Sequence, residues 1–269
     1  MRKTTLSLTW LCLCFAAPIT QAQYSLGWQP DKGGVVDKAF GPKFLGTPIK
    51  DKVDLRPQMP PVYDQGPIGS CVGNGVAAVV DYAHWKGSQQ PFWTPSRLFL
   101  YYQGRVAIGT VNQDSGCQIR DVVNATKKLG SPLESLWPYR VNKFTTRPPQ
   151  TAYADGLKRQ TLSAYKAETL EDVQRALSMD LPVVFGVPVY QAIQNVGYFS
   201  WRLPMPNAGE RSIGGHCMTV VGYNTADKTL IVRNSWGKNW GRAGHMLMPF
   251  EYWIKFQRQT DAWVVSVTE

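Results

Sequence analysis

The sequence predicts an α+β chain of two lobes meeting at a cleft, and three observations carry that expectation. The first half holds three segments whose apolar residues recur at helical spacing. The second half holds short β-branched runs punctuated by turn residues. At 269 residues the chain is long enough to bury a sizeable core, as one large domain or as two lobes.

Taken in order, the first segment stands apart from the fold. Arg2 and Lys3 precede an apolar run from Leu6 to Pro18, and Ile19-Thr20-Gln21-Ala22 offers a small-residue cleavage site. This pattern predicts a signal peptide over residues 1–22 and a secreted or periplasmic location, since the run is too short to span a bilayer. Residues 23–50, rich in Gly, Pro and Lys, predict an extended arm or short pro-segment. Pro60-Pro61 then gives a restricted approach to the domain. From Cys71 to about Lys86, Val72, Val76, Val79, Val80 and Ala83 predict a helix with one apolar side. Gly73 and Gly75 weaken its first turn by about 1 kcal/mol each, and close approach of a substrate backbone would explain them. Thr94 is the expected cap of a second helix with Pro95 at its first position, and Gln118 to Leu129 is a third. The prolines between Thr145 and Gln150 join the halves. Beyond them lie a short helix from Thr169 to Met179 and a buried strand from Pro182 to Val187. Further strands are expected at Cys217 to Tyr223, Leu230 to Asn234, His245 to Met248 and Trp263 to Val267.

Composition narrows the functional classes. Loss of Arg2 and Lys3 takes away two positive charges, from +10 to +8. The remaining basic residues are scattered, so a solvated basic surface is expected and no nucleic-acid partner. No later segment predicts a membrane span. A monomer that acts on protein or peptide substrates without a cofactor is the simplest expectation. The same cleavage discards Cys12 and Cys14 and leaves Cys71, Cys117 and Cys217, which suits one reactive thiol and at most one disulfide.

The chemistry lies in four residues. Cys71 opens a helix after a Gly-Ser turn, where the helix terminus favours a thiolate. A buried core cysteine is the ordinary alternative, but the turn argues for exposure. Of the three histidines, His84 and His245 read as structural, whereas His216 follows two glycines and heads an apolar strand. Asn234 could accept the imidazole N–H and aim the other ring nitrogen at sulfur, with Trp236 covering that bond. Gln65, six positions before Cys71, could donate with the Cys71 backbone N–H to a tetrahedral oxyanion. Thiol, imidazole, orienting amide and oxyanion donor are the parts of acyl transfer through a covalent intermediate.

The order Gln65-Gly66…Gly69-Ser70-Cys71, His216, Asn234-Ser235-Trp236-Gly237…Trp240-Gly241 resembles papain-like cysteine peptidases, and more closely their bacterial secreted, xylellain-like members. Val53-Asp54-Leu55-Arg56-Pro57, Pro95-Ser96-Arg97-Leu98 and Asp114-Ser115-Gly116 share in the likeness, which runs from about residue 51 to 268. It implies a helical left lobe (about 65–150), a β-barrel right lobe (about 157–268) and an active site between them. It also implies that Cys71 is the nucleophile, His216 the acid/base, Asn234 the orienting residue and Gln65 the oxyanion donor. Ser115 and Gly116 would lie along the substrate backbone, Cys117 and Cys217 would flank a substrate pocket, and Trp236 and Trp240 would border the site. Val72 departs from the aromatic usual beside the nucleophile, and Ile68 stands where many eukaryotic members have a disulfide cysteine. Pairing of Cys117 with Cys217 stays open. So do two other readings of the whole: a catalytically silent peptide-binding or effector module, and a thiol-dependent acyl transferase or amidase.

Overall fold

A computed structural model describes residues 24–33 and 38–267, so the expected leader over residues 1–22 lies outside the described residues. In chain order the elements are α1 (Phe40–Phe44), β1 (Lys52–Asp54), α2 (Cys71–Ser88), α3 (Arg97–Ala107), α4 (Ile119–Lys128) and α5 (Gln150–Gly156). There follow β2 (Ser163–Lys166), α6 (Leu170–Ser178), β3 (Val183–Val189), β4 (Gly214–Asn224), β5 (Thr229–Arg233), β6 (His245–Pro249), α7 (Phe250–Phe256) and β7 (Asp261–Ser266).

Helices dominate the first half and one antiparallel sheet organises the second. Its strand order is β2-β7-β3-β4-β5-β6, with β1 paired to the far end of β4. The expected barrel is therefore an open sheet: among the described residues β2 and β6 are its two ends and do not pair. β3 and β7 place Gly186 opposite Asp261, and β3 and β4 place Gly186 opposite Cys217. Paired residues of an antiparallel sheet share a face, so Asp261, Gly186 and Cys217 form one row.

The predicted α2 runs two residues further than expected and is buried from Cys71 through Ala83. Burial on nearly every side fits a helix sandwiched between α3, α4 and the sheet. Its two early glycines answer to that packing rather than to substrate. A Cβ on Gly73 would lie 2.7 Å from the carbonyl oxygen of Arg97, the first residue of α3, and one on Gly75 would lie 3.0 Å from the Cys217 sulfur. On α4 the residues Ile119, Val122, Val123 and Thr126 are buried at the spacing that one helical face requires.

One expectation about local chemistry fails. Thr94 does not cap α3: it has φ of 53°, and Ser96 takes the role by accepting from the Phe99 N–H. Pro95 is thereby left in a β-bridge with Leu133 ahead of the helix. The pairing of Cys117 with Cys217, open in the sequence, is absent here: all three described cysteines are free and buried. The Cys117 sulfur packs on α3, where a Cβ at Gly104 would come within 2.6 Å of it, while the Cys217 sulfur faces α2 at Gly75. The short helix expected from Thr169 to Met179 is α6, and the Thr169 hydroxyl and Asp172 make a reciprocal capping box at its start.

Candidate active site

The site forms where the first residue of α2 meets the start of β4. The Cys217 backbone N–H donates to the Cys71 sulfur at 3.4 Å, which puts the thiol against the residue that follows His216. The Asn234 side-chain oxygen accepts the Ser235 backbone N–H at 2.8 Å and lies 2.8 Å from His216 Nε2. An oxygen already accepting one N–H can only accept from Nε2 as well, so Nε2 carries the ring proton and Nδ1 holds the lone pair. Nδ1 is buried without a hydrogen-bond partner among the described residues, as a base awaiting a proton should be. The Trp236 ring lies over the imidazole, with centroids 4.7 Å apart, and Trp240 meets Trp236 edge-on.

The loop before Cys71 is held from several sides. The Gln65 backbone N–H donates to the Ser235 carbonyl at 2.8 Å, and the Ser235 hydroxyl donates to Gln65 Oε1 at 2.6 Å. Tyr139 donates to the Gln65 carbonyl and exchanges a hydrogen bond with Ser70. Asp114, itself bonded by the Tyr101 hydroxyl, accepts the Gly69 N–H at 2.9 Å. Arg97, paired with Glu134, reaches the Asp64 carbonyl and the Asn74 side chain. With its Oε1 occupied, Gln65 has its Nε2 left to aim at the groove.

That groove is filled by the chain's own residues 24–31. Gln65 Nε2 donates to the Ser25 carbonyl at 3.0 Å as well as to the Ile68 carbonyl. The Gly27 amide N–H turns toward the Cys71 sulfur. The Cys117 N–H donates to the Gly27 carbonyl at 2.9 Å, and the Gln29 N–H returns to the Cys117 carbonyl at 3.0 Å. Across the groove the Trp28 N–H donates to the Gly215 carbonyl at 3.1 Å. Gln29 donates from its side chain to the Ser115 carbonyl, and Gly116 is tight against Gly27. Tyr24 stacks on Trp236 with centroids 4.6 Å apart, and Asp31 is paired with Arg120 and Lys166. The Ser115-Gly116 stretch therefore does lie along a backbone, here the arm's.

Burial sets the protonation state. Cys71 is fully buried, against the exposure expected from its Gly-Ser turn. Desolvation pushes its thiol up to about 11, only partly offset by the backbone donors around it. The same burial holds His216 down at about 4, against the Asn234 bond that favours the cation. Between those values the pair is a neutral thiol and a neutral imidazole, not the ion pair expected at an open helix terminus.

Residues 49–260 match the family model described as papain family cysteine protease. The chain belongs to the papain family of cysteine proteases. Within this family it is 35% identical over 262 residues to an uncharacterized peptidase C1-like protein of Acanthamoeba polyphaga mimivirus, covering 88% of this chain and 84% of the relative. Its fold is similar to the crystal structure of xylellain, a cysteine protease from Xylella fastidiosa, with a TM-score of 0.82 and 32% identity. That match spans 91% of this chain and 96% of xylellain. Digestive procathepsin L 3 of Tenebrio molitor shares the fold at 17% identity, with a TM-score of 0.69 over 90% of this chain and 75% of that one. As a family member the chain is a hydrolase that acts on protein or peptide substrates. Among the described residues no helix is long and apolar enough to cross a membrane.

Sequence reasoning quoted Asp114 and Ser235 within motifs without giving them a role, passed over Tyr139, and did not name the arm residues that enter the groove. For Asp114 the only signal is its place beside Ser115-Gly116. Tyr24, Leu26 and Trp28 alternate with smaller residues, a pattern too short to read as a strand.

Proposed function

We propose that the protein is a secreted or periplasmic cysteine endopeptidase, acting as a monomer, whose residues 24–31 block its own active site. The observation that carries this reading is the Cys71 sulfur at 3.4 Å from the Cys217 N–H, beside a histidine whose Nε2 is fixed by Asn234. With the groove open, His216 Nδ1 takes the thiol proton and sulfur attacks the scissile carbonyl. The oxyanion is received by Gln65 Nε2 and the Cys71 backbone N–H, in an arrangement that needs no reorganisation at the moment of reaction. His216 then protonates the leaving amine, and water deprotonated by His216 hydrolyses the thioester.

The arm engages parts of this machinery. Its Ser25 carbonyl takes the Gln65 donor, and its Gly27 amide N–H is among the backbone donors around the sulfur. The motive for a regulatory role is that one segment meets the nucleophile, the oxyanion donor and both groove walls at once. A silent binding module is disfavoured because none of the four groups is missing.

Labelling with an epoxide-bearing peptide followed by peptide mass mapping tests the reading. The expected adduct is on Cys71, and Cys71→Ala should remove both the adduct and hydrolysis of unfolded protein. Hydrolysis retained by purified Cys71→Ala would end it. Transfer of the acyl group to an added amine in preference to water would move the assignment to an acyl transferase.

A further inference from the structure

Resting on the peptidase reading, we infer that Tyr139 is a positioning residue for the oxyanion site: its hydroxyl ties the backbone of Gln65 to Ser70, the residue before the nucleophile, and so sets where Gln65 Nε2 points. Tyr139 lies in the stretch between α4 and α5, after Trp137-Pro138.

The direction of each bond follows from what its atoms can do. The Gln65 carbonyl only accepts, so the Tyr139 hydroxyl proton is committed to it, at 2.8 Å. The Tyr139 oxygen must then accept from the Ser70 hydroxyl, 2.5 Å away. The Ser70 oxygen accepts in turn from the Asn74 side-chain amide at 3.1 Å. Asn74 Oδ1 accepts from Arg97 at 3.1 Å, which fixes the orientation of that amide. The result is one polarised chain, from Arg97 through Asn74, Ser70 and Tyr139 to Gln65, with every donor facing the same way. Burial pushes the Tyr139 hydroxyl up to about 12, so it stays protonated, and a donor, at neutral pH. The Arg97 guanidinium also lies over the Tyr139 ring, 4.2 Å from its centroid, and steadies it.

Without Tyr139 the Gln65 backbone is held from one side only. Its N–H and its Oε1 both bond Ser235, at the end of β5. Its carbonyl is held from the helical half by Tyr139. The next residue is Gly66, at φ of 59°, so no side chain there resists rotation of the peptide between them. Loss of the Tyr139 hydroxyl orphans the carbonyl and lets Gln65 tilt about Ser235, which carries Nε2 away from the place where the oxyanion forms. An oxyanion donor acts by being fixed before the reaction begins.

The test uses the full chain carrying Gly27→Ala, whose Cβ would meet the Gly69 carbonyl oxygen at 1.8 Å and so opens the groove. Two reactions of Cys71 are compared in this parent and with Tyr139→Phe added. Hydrolysis of a fluorogenic peptide forms an oxyanion; alkylation by iodoacetamide forms none. Tyr139→Phe should lower kcat about 10- to 100-fold, with KM and the alkylation rate within about threefold of the parent. Because Tyr139 acts through Gln65, Tyr139→Phe on top of Gln65→Ala should cost less than about threefold more. Should Tyr139→Phe fold poorly by circular dichroism, Ser70→Ala breaks the chain one link earlier and should show the same non-additivity at a smaller size; an additive loss there overturns the inference equally. Hydrolysis by Tyr139→Phe within about threefold of the parent, a full loss that persists on top of Gln65→Ala, or alkylation slowed as much as hydrolysis would overturn it. A parent that alkylates but hydrolyses no peptide is a separate outcome, which removes the peptidase reading and this inference with it.

Discussion

Replacing Gly27 with alanine should expel the arm without altering any residue of the catalytic set. An ideal Cβ at position 27 would stand 1.8 Å from the Gly69 carbonyl oxygen, where ordinary contact begins near 3.4 Å. Gly69 cannot yield, because its N–H is held by Asp114 at 2.9 Å and it lies two residues from Cys71. The arm must therefore retreat by about 1.6 Å. That displacement carries the bonds from Cys117 N to Gly27 O, Trp28 N to Gly215 O and Gln29 N to Cys117 O, now 2.9, 3.1 and 3.0 Å, beyond hydrogen-bonding reach. At a net 0.5–1.5 kcal/mol each, their loss weakens docking by about 1.5–4.5 kcal/mol, a shift of roughly 10- to 2,000-fold toward the open groove. The assay is the second-order rate of Cys71 alkylation at neutral pH, with mass mapping to confirm the site. Rates for Gly27→Ala and the unmodified chain that agree within about twofold, with both proteins folded, would refute the reasoning.

Other outcomes follow from the same geometry. Gln65→Ala should lower kcat by about 100- to 1,000-fold with little change in KM, measured on a peptide substrate with the groove opened. Asn234→Ala leaves His216 Nε2 without its acceptor and should cost about 5- to 150-fold in kcat, while circular dichroism stays unchanged. In the intact chain the thiol, raised to about 11, is a minor thiolate at neutral pH, so alkylation should climb about tenfold per pH unit well past pH 9. In Gly27→Ala the sulfur regains solvent and the helix terminus, so the same profile should level off at least about two units lower. Asp31→Asn breaks the pairs with Arg120 and Lys166 and should speed labelling by a few fold, an effect that added salt reproduces in the unmodified chain.

The parts of this molecule that were legible in the sequence are those whose physics is local. Cys71, His216, Asn234 and Gln65 could be picked out because each sits beside its own turn or strand signal, and β3, β4 and β5 read out as β-branched runs within two or three residues of their ends. The short elements α1, α5, α7 and β2 carry too few residues for any period to emerge. Thr94-Pro95 imitated a cap, but the choice between Thr94 and Ser96 rests on bonds to Pro132 and Trp137 far along the chain. The protonation of Cys71 failed for a related reason. A helix terminus beside the thiol and a histidine heading a later strand are visible in the sequence, whereas the arm that desolvates the thiol meets it through backbone atoms, which leave no mark in residue type.

The occupant of this groove is covalently continuous with the domain it occupies, since residue 31 leads on to β1 at Lys52 through fewer than two dozen residues. A ligand on so short a tether is presented at an effective concentration of about millimolar, whatever the amount of protein in solution. Dilution alone will not free the site, and a soluble competitor must match that local excess. A single cut between Asp31 and Lys52 changes the order of the problem: the severed piece, at ordinary micromolar or lower levels, rebinds as a bimolecular ligand and drifts away.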